Sequence, residues 1–333
     1  MSAGNCVLIK PSEHSAATSK VMEELINENF DEGYIHVVQG EAEITQEILA
    51  NRWDYIFFTG GTEIGRIIYQ AAAKHLTPVT LELGGKSPCV VDKNVNINLA
   101  AKRIAWGKIV NSGQTCIAPD YLFVHKDIKD KMIEALKKHI KISYGDTPID
   151  SPDYCKIINQ KQYDRLKGYL NLGELIAGGR YNDEKQMIEP TILLNPPKDS
   201  KVMTEEIFGP ILPIFTYTDF DEVIKFINER EKPLASYIFS NSRKIREKFL
   251  TSTSSGGACE NDTVLHISSS TMAFGGVGES GIGGYHGKFS FDTFSHHKSV
   301  MHRRPHLIDP YLRYAPYSAN KLGIMRFMLK KFL

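Results

Sequence analysis

A single cysteine in a polar turn is the clearest candidate nucleophile in the chain. Cys116 lies in the segment NSGQTCIAPD (111–120), which follows a helical run of residues. An unperturbed thiol has a pKa of about 8.5, so only a few per cent is thiolate near neutral pH; turn amides and a bound cationic cofactor would raise that fraction. A lone cysteine is commonly a small buried hydrophobic residue, but Gly113, Gln114 and Thr115 are poor neighbours for a core. The segment therefore indicates a reactive thiol.

The candidate base is Glu82, which lies 34 residues before the cysteine in the segment LELGGK (81–86). A carboxylate at the end of an apolar strand has two ordinary states. It is either paired with a cation, for which Lys86 is the nearest choice, or desolvated with a raised pKa that suits a general base. The residues alone favour the paired state and leave the second open.

A glycine-containing turn, FTGGTEIG (58–65), joins a predicted strand to a predicted helix. Glycines in this position let the backbone approach a pyrophosphate, and the free N–H groups of the helix start attract anions. The pattern is GxTxxG rather than GxGxxG, so an ordinary tight turn is the alternative. Lys10 and Glu13, in KPSE, could reach a ribose, or could simply begin a helix that Ser12 caps.

Two further segments complete the candidate site. In EEIFGP (205–210), two acids could bind sugar hydroxyls and the aromatic ring could support a flat ligand, although a solvated loop has the same composition. The segment 274–287 contains glycines that permit close approach of a ligand to the backbone.

Apolar periodicity predicts strands that alternate with helices along most of the chain. Strands are predicted at 6–9, 34–38, 55–58, 79–83, 88–91, 121–124, 191–194, 211–217 and 237–239. Helices are predicted at 17–30, 44–50, 64–76, 99–110, 128–140, 154–170, 220–228 and 243–250. The Gly- and Ser-rich stretch 252–287 is predicted to be a functional loop. This alternation is typical of an α/β fold with a parallel sheet and helices on both faces.

Composition limits the classes of partner and compartment. The chain has 333 residues, 42% of them apolar, which favours two domains. Lys plus Arg total 40 and Asp plus Glu total 39, so no charge excess favours nucleic acid. Five cysteines without CxxC spacing indicate neither a metal site nor a disulfide framework, and no secretory signal or apolar run of membrane-spanning length is recognised. We therefore predict a cytoplasmic protein.

The C-terminal tail differs from the rest of the chain in its charge. From Lys298 onward there are eight Lys or Arg residues and one acid. Residues 321–333, drawn as a helix, place Gly323, Arg326 and Lys330 on one face and apolar side chains on the other. The segment is either a solvated tail or a weak peripheral contact with a membrane such as the endoplasmic reticulum.

These motifs together resemble the aldehyde dehydrogenase superfamily, in particular the class 3 group that includes the fatty aldehyde dehydrogenases. The matching segments occur in the family's order along essentially the whole chain: KPSE, FTGGTEIG, LELGGKSP, GQTCIAPDY, EEIFGP and FGGVGESGIGGYHGKFSFDTFSH. The resemblance implies a Rossmann-type parallel-sheet cofactor domain and an α/β catalytic domain. The predicted division is 1–81 for the remaining cofactor domain, 82–280 for the catalytic domain, and 281–333 for a return segment, an oligomerisation strand and the tail.

The resemblance also implies a role for each matched residue. Cys116 attacks medium- or long-chain aliphatic or aromatic aldehydes to give a thiohemiacetal and then a thioester, and Glu82 activates the water that releases a carboxylic acid. NAD or NADP is the cofactor. The residues expected to bind it are Lys10 and Glu13 at the adenosine ribose, Gly60, Gly61, Thr62 and Gly65 at the pyrophosphate turn, Glu206 at the nicotinamide ribose, and Phe208. No metal is expected. A homodimer is expected.

One departure from the family leaves alternatives open. Relatives carry a further segment before the position of Gly4, with a Pro-Trp-Asn motif whose Asn joins the backbone N–H of the cysteine in an oxyanion hole. This sequence lacks that segment, together with the first strands of the cofactor sheet and part of the dimer interface. The alternative is therefore a catalytically impaired fragment or splice form that retains nucleotide binding or pairs with a full-length relative. A cysteine hydrolase is a third possibility, although no His is placed to activate Cys116.

Overall fold

The computed structural model describes residues 1–304, 309 and 311–332. Four strands and three helices alternate along the first 82 residues. They are β1 (Val7–Ile9), α1 (Ala16–Asn27), β2 (Ile35–Val37), α2 (Ala42–Leu49), β3 (Ile56–Thr59), α3 (Thr62–Ala73) and β4 (Val79–Glu82). β1 pairs with β2 and β3 pairs with β4, both in parallel. The predicted alternation is confirmed in this part of the chain as two separately paired sheets.

A seven-stranded sheet forms the centre of the next part of the chain. The strands and helices of this part of the chain are β5 (Pro88–Val91), α4 (Ile97–Ile109), β6 (Tyr121–His125), α5 (Lys129–Tyr144), α6 (Gln160–Lys167), β7 (Glu174–Ala177), β8 (Tyr181–Asn182), β9 (Met187–Ile188), β10 (Thr191–Leu194), α7 (Lys201–Thr204), β11 (Ile211–Tyr217), α8 (Phe220–Asn228), β12 (Ala235–Phe239), α9 (Arg243–Ser252) and β13 (Gly257–Glu260). The strand order is β13-β12-β5-β6-β11-β10-β7, and β8 pairs with β9 in a separate hairpin. Neighbours in the large sheet are parallel except β7 and β10. The α/β fold with a mostly parallel sheet is therefore confirmed.

Helices cover both faces of this sheet. Cys89 and Val91 of β5 pack in one hydrophobic cluster with residues of α4 and α5, whereas Val90 packs in a second cluster with residues of α6, α8 and α9. A strand buried on both faces reads as a continuous apolar run, as PCVV and YLFVH do. The sheet consequently gives a rigid support to the turn between α4 and β6, which carries Cys116.

A late strand returns to the sheet of the first part. β14 (Gly281–Ile282) pairs with β4 in antiparallel register, so that Gly281 lies opposite Glu82. Gly281 has φ 148°, and a methyl group there would lie 2.2 Å from the carbonyl oxygen of Leu81. Only glycine fits this close approach, and the strand helps to cover Glu82.

Two sequence predictions are wrong in detail, and some of the observed elements were not predicted. The helix predicted at 154–170 is limited to α6, because Asn159 is extended and caps the N–H of Gln162, while Ile157 N–H donates to the carbonyl of Gln186. β7 was not expected. The stretch 252–287, predicted as a loop, contains β13 and β14. A helix, α10 (Gly287–Thr293), follows it without a preceding side-chain cap.

The remaining described residues belong to a separate compact unit that begins at His296, whereas the first unit spans Met1–Ser295. This second unit contains α11 (Ala319–Phe332). The helix predicted over 321–333 is confirmed up to residue 332, and Leu333 lies outside the described residues. Among the helices of the described ranges, none has both the length and the apolar composition needed to cross a bilayer.

Candidate active site

Three consecutive residues with left-handed backbone angles form the turn before Cys116. Residues 111–113 have φ values of 54°, 51° and 73°, which are unfavourable for residues that carry a side chain. At Gly113 glycine is required, because a methyl group there would lie 2.3 Å from the carbonyl oxygen of Gly209. The nucleophile turn therefore packs backbone against backbone on the 205–210 turn.

Side-chain hydrogen bonds hold this strained turn in place. Asn111 Nδ2 donates to the carbonyl of Gln114 at 2.9 Å, and Gln114 Nε2 donates to the carbonyl of Lys156 at 3.1 Å. The Ile158 N–H donates to Gln114 Oε1 at 2.9 Å. These bonds tie the turn to the extended segment before α6, which explains why that segment is not helical.

Cys116 is half-buried behind the turn, and its thiol form is favoured at neutral pH. Burial raises the pKa of Cys116 to about 11, and the negative charges of Glu206 and Glu82 act in the same direction. The N–H groups of Cys116 and Ile117 oppose the shift. The turn amides expected from the sequence are thus present, but burial outweighs them. A positive charge or a base is needed to produce the thiolate.

Glu82 ends β4 as a buried carboxylate that lacks a partner. It is 3% exposed, and neither of its carboxylate oxygens has a hydrogen-bond partner among the described residues. Burial raises its pKa to about 7, since a low-dielectric surrounding disfavours the charged form. The desolvated state is the one observed, and the pairing with Lys86 that the residues alone favoured is wrong.

Lys86, which follows Gly84 and Gly85 in the sequence, instead forms a buried ion pair with Asp120. Its Nζ lies 2.7 Å from Asp120 Oδ1 and donates to the carbonyl of Glu205 at 2.8 Å. Asp120 Oδ2 accepts the N–H of Ile207 at 3.0 Å. Asp120 follows the nucleophile by four residues, so this pair fixes the 205–210 turn relative to Cys116.

Glu206 lies directly against the glycine pair that follows Glu82. A methyl group on Gly84 would lie 1.9 Å from a carboxylate oxygen of Glu206, so glycine makes room for this side chain. Burial, and then the charge of Asp120, raise the pKa of Glu206 to about 8. Because the charges of Glu206 and Glu82 both act on the Cys116 thiol, the structure brings these three predicted residues into one site. Phe208 follows with φ 47° and exposes 38% of its surface.

Close packing explains why two of the three positions in the turn between β3 and α3 are glycine. A methyl group would lie 2.4 Å from the Phe58 ring at Gly60 and 2.6 Å from Leu83 at Gly65. At Gly61, the N-cap of α3, a methyl group would meet nothing within 4 Å. Thr62 Oγ1 donates to the carbonyl of Glu279 at 3.3 Å. The open backbone at Gly61 is the part of the turn that a ligand could approach.

The structure shows the helix-start interpretation of the KPSE segment, and ribose binding by Lys10 and Glu13 stays a prediction. The Ser12 hydroxyl caps the following helical turn by accepting the N–H of His14 at 3.2 Å. Lys10 Nζ donates to the carbonyl of Gly40 at 2.8 Å and to Glu13 at 3.3 Å. A backbone N–H, and less strongly Lys10, lower the pKa of Glu13. The two residues form one charged pair at the end of β1, next to β2.

Sequence reasoning missed three residues that the structure places at this site. Asp120 is visible in the motif IAPD but received no role. Tyr285 lies within the glycine-rich segment 274–287; burial raises its pKa to about 12, and the charges of Glu82 and Cys116 contribute. Lys108, in the last turn of α4, is 2% exposed, although a lysine in a helix is usually solvated. Across the described part of the chain, no three metal-ligating side chains gather in one place.

Comparison with known proteins identifies the family of this chain. The model of the aldehyde dehydrogenase family matches residues 1–300. Human aldehyde dehydrogenase family 3 member B1 is 48% identical over 326 residues, which cover 98% of this chain and 70% of the relative. The substrate-bound structure of Staphylococcus aureus AldH superposes with a TM-score of 0.93 at 46% identity, covering 98% of this chain and 71% of its own. An aldehyde dehydrogenase of Mycobacterium tuberculosis in complex with NAD+ superposes with a TM-score of 0.81 at 26% identity, covering 91% and 64%.

The fold and the site therefore define an oxidoreductase that acts on aldehydes with a nicotinamide cofactor. The chain belongs to the aldehyde dehydrogenase family, as the motifs indicated, and it is similar to the family 3 members in particular. It spans about 70% of the length of these relatives.

The backbone contact at Gly113 leads to a stability prediction. Gly113→Ala is expected to reduce the free energy of unfolding by about 3 kcal/mol, because the methyl group meets a carbonyl and the left-handed angle is strained. Gly323→Ala is the matched control, since a methyl group in that helix meets no described residue within 4 Å; its effect should stay within about 1 kcal/mol. Urea unfolding measures both. Equal effects for the two variants would contradict the packing described.

Proposed function

We propose that Cys116 is the nucleophile and Glu82 the hydrolytic base in the oxidation of aldehydes to carboxylic acids. The observation that carries this proposal is the Glu82 carboxylate, which is buried with no hydrogen-bond partner in the described part of the chain and is close enough for its charge to act on the Cys116 thiol. A buried carboxylate without a partner is costly for folding, and such groups concentrate at functional sites.

Cys116 performs the first half of the reaction. Its sulfur attacks the aldehyde carbon as the thiolate, the C=O π bond opens, and the carbonyl oxygen becomes the oxyanion of a thiohemiacetal. The backbone N–H of Cys116 is the donor of this chain that the family resemblance assigns to that oxyanion. Covalent capture divides one difficult oxidation into two easier steps, and a site that excludes water protects the resulting thioester.

Glu82 performs the second half. A carboxylate with a pKa near 7 is largely ionised above neutral pH and still basic enough to take a proton from water. The water adds to the thioester carbon, the C–S bond breaks, and the thiolate of Cys116 leaves with the carboxylic acid as product. Release of acid should therefore weaken as the pH falls below about 7.

NAD or NADP fits the residues present. Gly61 offers open backbone at the start of α3, where anions are favoured, and Glu206 offers a carboxylate for the hydroxyls of the nicotinamide ribose. The other residues assigned to the cofactor are Lys10, Glu13, Gly60, Thr62, Gly65 and Phe208. The chemistry that NAD or NADP supplies when bound is hydride acceptance, which turns the thiohemiacetal of Cys116 into a thioester.

The substrates proposed are medium- or long-chain aliphatic or aromatic aldehydes. We keep the division into residues 1–81, 82–280 and 281–333 as part of the proposal. The change of sheet between β4 and β5 supports its first boundary. A homodimer and a cytoplasmic location, peripheral on a membrane such as the endoplasmic reticulum, complete it.

The membrane contact is supported by the composition of α11. The helix carries four cations and no acid, and its long apolar side chains are exposed: Leu322, Ile324, Met325, Phe327, Met328, Leu329 and Phe332. A basic helix with an apolar face binds at the boundary between lipid headgroups and acyl chains.

Replacing the nucleophile tests the proposed function. Cys116→Ala should reduce the aldehyde-dependent formation of NADH or NADPH by at least about 10³-fold, because the covalent route is removed. Cys6→Ala, at an exposed cysteine, is the control and should keep the parent rate. Full activity of Cys116→Ala would refute the assignment. An inactive parent protein that still binds NAD would instead favour the catalytically impaired alternative.

The tail has a separate test on vesicles that contain phosphatidylserine. Lys330→Glu with Lys331→Glu should weaken co-sedimentation about 10- to 100-fold, since each cation near an anionic surface contributes about 1 kcal/mol. Lys131→Glu with Lys138→Glu changes the net charge equally, at exposed positions on α5, and should bind like the parent. Equal loss in both double variants, or no loss in either, would contradict a contact through α11.

A further inference from the structure

Tyr237 is a fully buried residue that the proposed reaction does not use. It lies in the middle of β12, where it pairs with Cys89 of β5 on one side and with Cys259 of β13 on the other. The side chain is 0% exposed. Burial raises the pKa of Tyr237 well above its ordinary value, so the hydroxyl group keeps its proton and stays a hydrogen-bond donor.

The hydroxyl group of Tyr237 reaches the residue that follows the proposed nucleophile. It donates to the carbonyl oxygen of Ile117 at 2.5 Å, across 120 positions of the chain. Ile117 is also buried, and it packs in the same hydrophobic cluster as Tyr237. A buried carbonyl needs a donor, and in the described part of the chain Tyr237 is the one that this carbonyl has. The bond therefore fixes the peptide group between Ile117 and Ala118.

A second hydrogen bond leads from this peptide group to the nucleophile. The Ala118 N–H, which shares its peptide group with the Ile117 carbonyl, donates to the Thr115 carbonyl at 2.9 Å. The Thr115 carbonyl shares its peptide group with the N–H of Cys116. Because a trans peptide group is planar, its N–H points away from its C=O, and each bond sets the direction of the next donor. We call these two bonds the Tyr237 relay.

The Tyr237 relay ends at N–H groups that the backbone does not use. Thr115 and Ala118 are the first and last residues of a tight turn, and Cys116 and Ile117 form its centre. Among the described residues, neither central N–H donates to a backbone carbonyl. These are the two N–H groups that oppose the rise in the pKa of the Cys116 thiol.

We propose that Tyr237 is a positioning residue, because its relay aims the N–H of Cys116 at the thiolate and then at the oxyanion of the reaction. This inference rests on the role proposed above for Cys116. Donors that are already oriented need no reorganisation during the reaction, which is what makes them effective. Hydrogen bonds in series also polarise one another, so the buried hydroxyl strengthens the last donor as well as orienting it.

The first test measures how fast iodoacetamide alkylates Cys116 near about pH 8, resolved by peptide mass spectrometry. Tyr237→Phe should slow this reaction about threefold. Loss of one ordinary hydrogen bond lowers the thiolate fraction about fivefold, and the greater basicity of the remaining thiolate recovers part of the rate. The exposed Cys6 should react at the parent rate in every variant.

Tyr217→Phe is the matched control for this test. The Tyr217 hydroxyl, on β11 of the same sheet, is buried and donates to the Val91 carbonyl at 3.2 Å, so its loss does not touch the relay. Cys116 should be alkylated at the parent rate in this variant. An unchanged or faster rate in Tyr237→Phe, or an equal loss in both variants, would overturn the proposal.

Steady-state kinetics separate this inference from the proposal on which it rests. Tyr237→Phe should lower kcat and kcat/KM equally, by about tenfold, with KM unchanged, since the oriented donor acts in the transition state. A raised KM with the parent kcat would overturn the positioning role. Full activity of Cys116→Ala would instead overturn the role of Cys116, and the alkylation rates, which need neither aldehyde nor cofactor, would still decide whether Tyr237 orients the turn.

Misfolding is checked by the midpoint of urea unfolding. Each Phe variant keeps its ring and leaves one buried carbonyl without a donor, so the two midpoints should fall alike. A midpoint that falls only in Tyr237→Phe, together with faster alkylation of Cys116, would assign Tyr237 a structural role and contradict the proposal.

A second variant at the same position keeps the hydroxyl group. Site-specific replacement of Tyr237 by 3-fluorotyrosine leaves the ring in place and makes the phenol a stronger donor. Cys116 should then be alkylated at least as fast as in the parent. A slower rate would contradict the relay, whether or not Tyr237→Phe folds.

Discussion

The site depends on one close approach of two backbones. Gly113, before the nucleophile, lies against the carbonyl of Gly209, and Gly209 in turn faces Leu166 of α6. No side chain fits between the backbones at Gly113 and Gly209, so the position of the Cys116 turn and that of the 205–210 turn are set together. The ion pair between Lys86 and Asp120 makes the same connection through side chains. The large parallel sheet gives both turns a rigid base, which is what a reaction needs if its groups are to be held in a fixed geometry.

The electrostatics of the site follow from this burial. Glu82, Glu206 and Cys116 are all held where the charged form is disfavoured, and each has a raised pKa. Burial therefore favours the protonated thiol of Cys116 over the thiolate near neutral pH. A site of this kind is activated when positive charge arrives, and it protects a thioester from premature hydrolysis by excluding water. Stability is given up at these positions in exchange for chemistry, as is common at functional sites.

Much of the fold was predictable from the sequence, because a sheet buried on both faces leaves apolar runs separated by amphipathic helices. The less predictable parts depended on contacts distant in sequence. The helix expected at 154–170 shortens because Gln114 and Gln186 bind the backbone before α6. β14 lies in a glycine-rich stretch that gave no strand signal. The need for glycine at Gly281 follows only from its close approach to the Leu81 carbonyl oxygen. Periodicity predicted the position of α1 correctly. It did not predict how exposed the apolar side chains of that helix are, since Val21 and Leu25 are 61% and 64% exposed.

The candidate site was predictable in its residues but not in its electrostatics. The motifs indicated Cys116, Glu82 and Glu206, whereas the choice between a paired and a desolvated Glu82 needed the position of Asp120, which takes Lys86 away. Lys108 gave no sequence signal, because a lysine in an amphipathic helix is usually solvated. Tertiary packing decides which cation pairs with which carboxylate. The amino-acid sequence alone does not show these pairings.

The central claim is that Cys116 carries the acyl group and Glu82 releases it. The most direct measurement is peptide mass spectrometry of the Glu82→Gln protein, quenched in acid after mixing with an aldehyde and NAD. The expected result is an acyl group, bound as a thioester, on the peptide that contains Cys116, and its accumulation relative to the parent protein. An acyl group on a different residue, or aldehyde oxidation at the parent rate with no accumulation, would contradict the account.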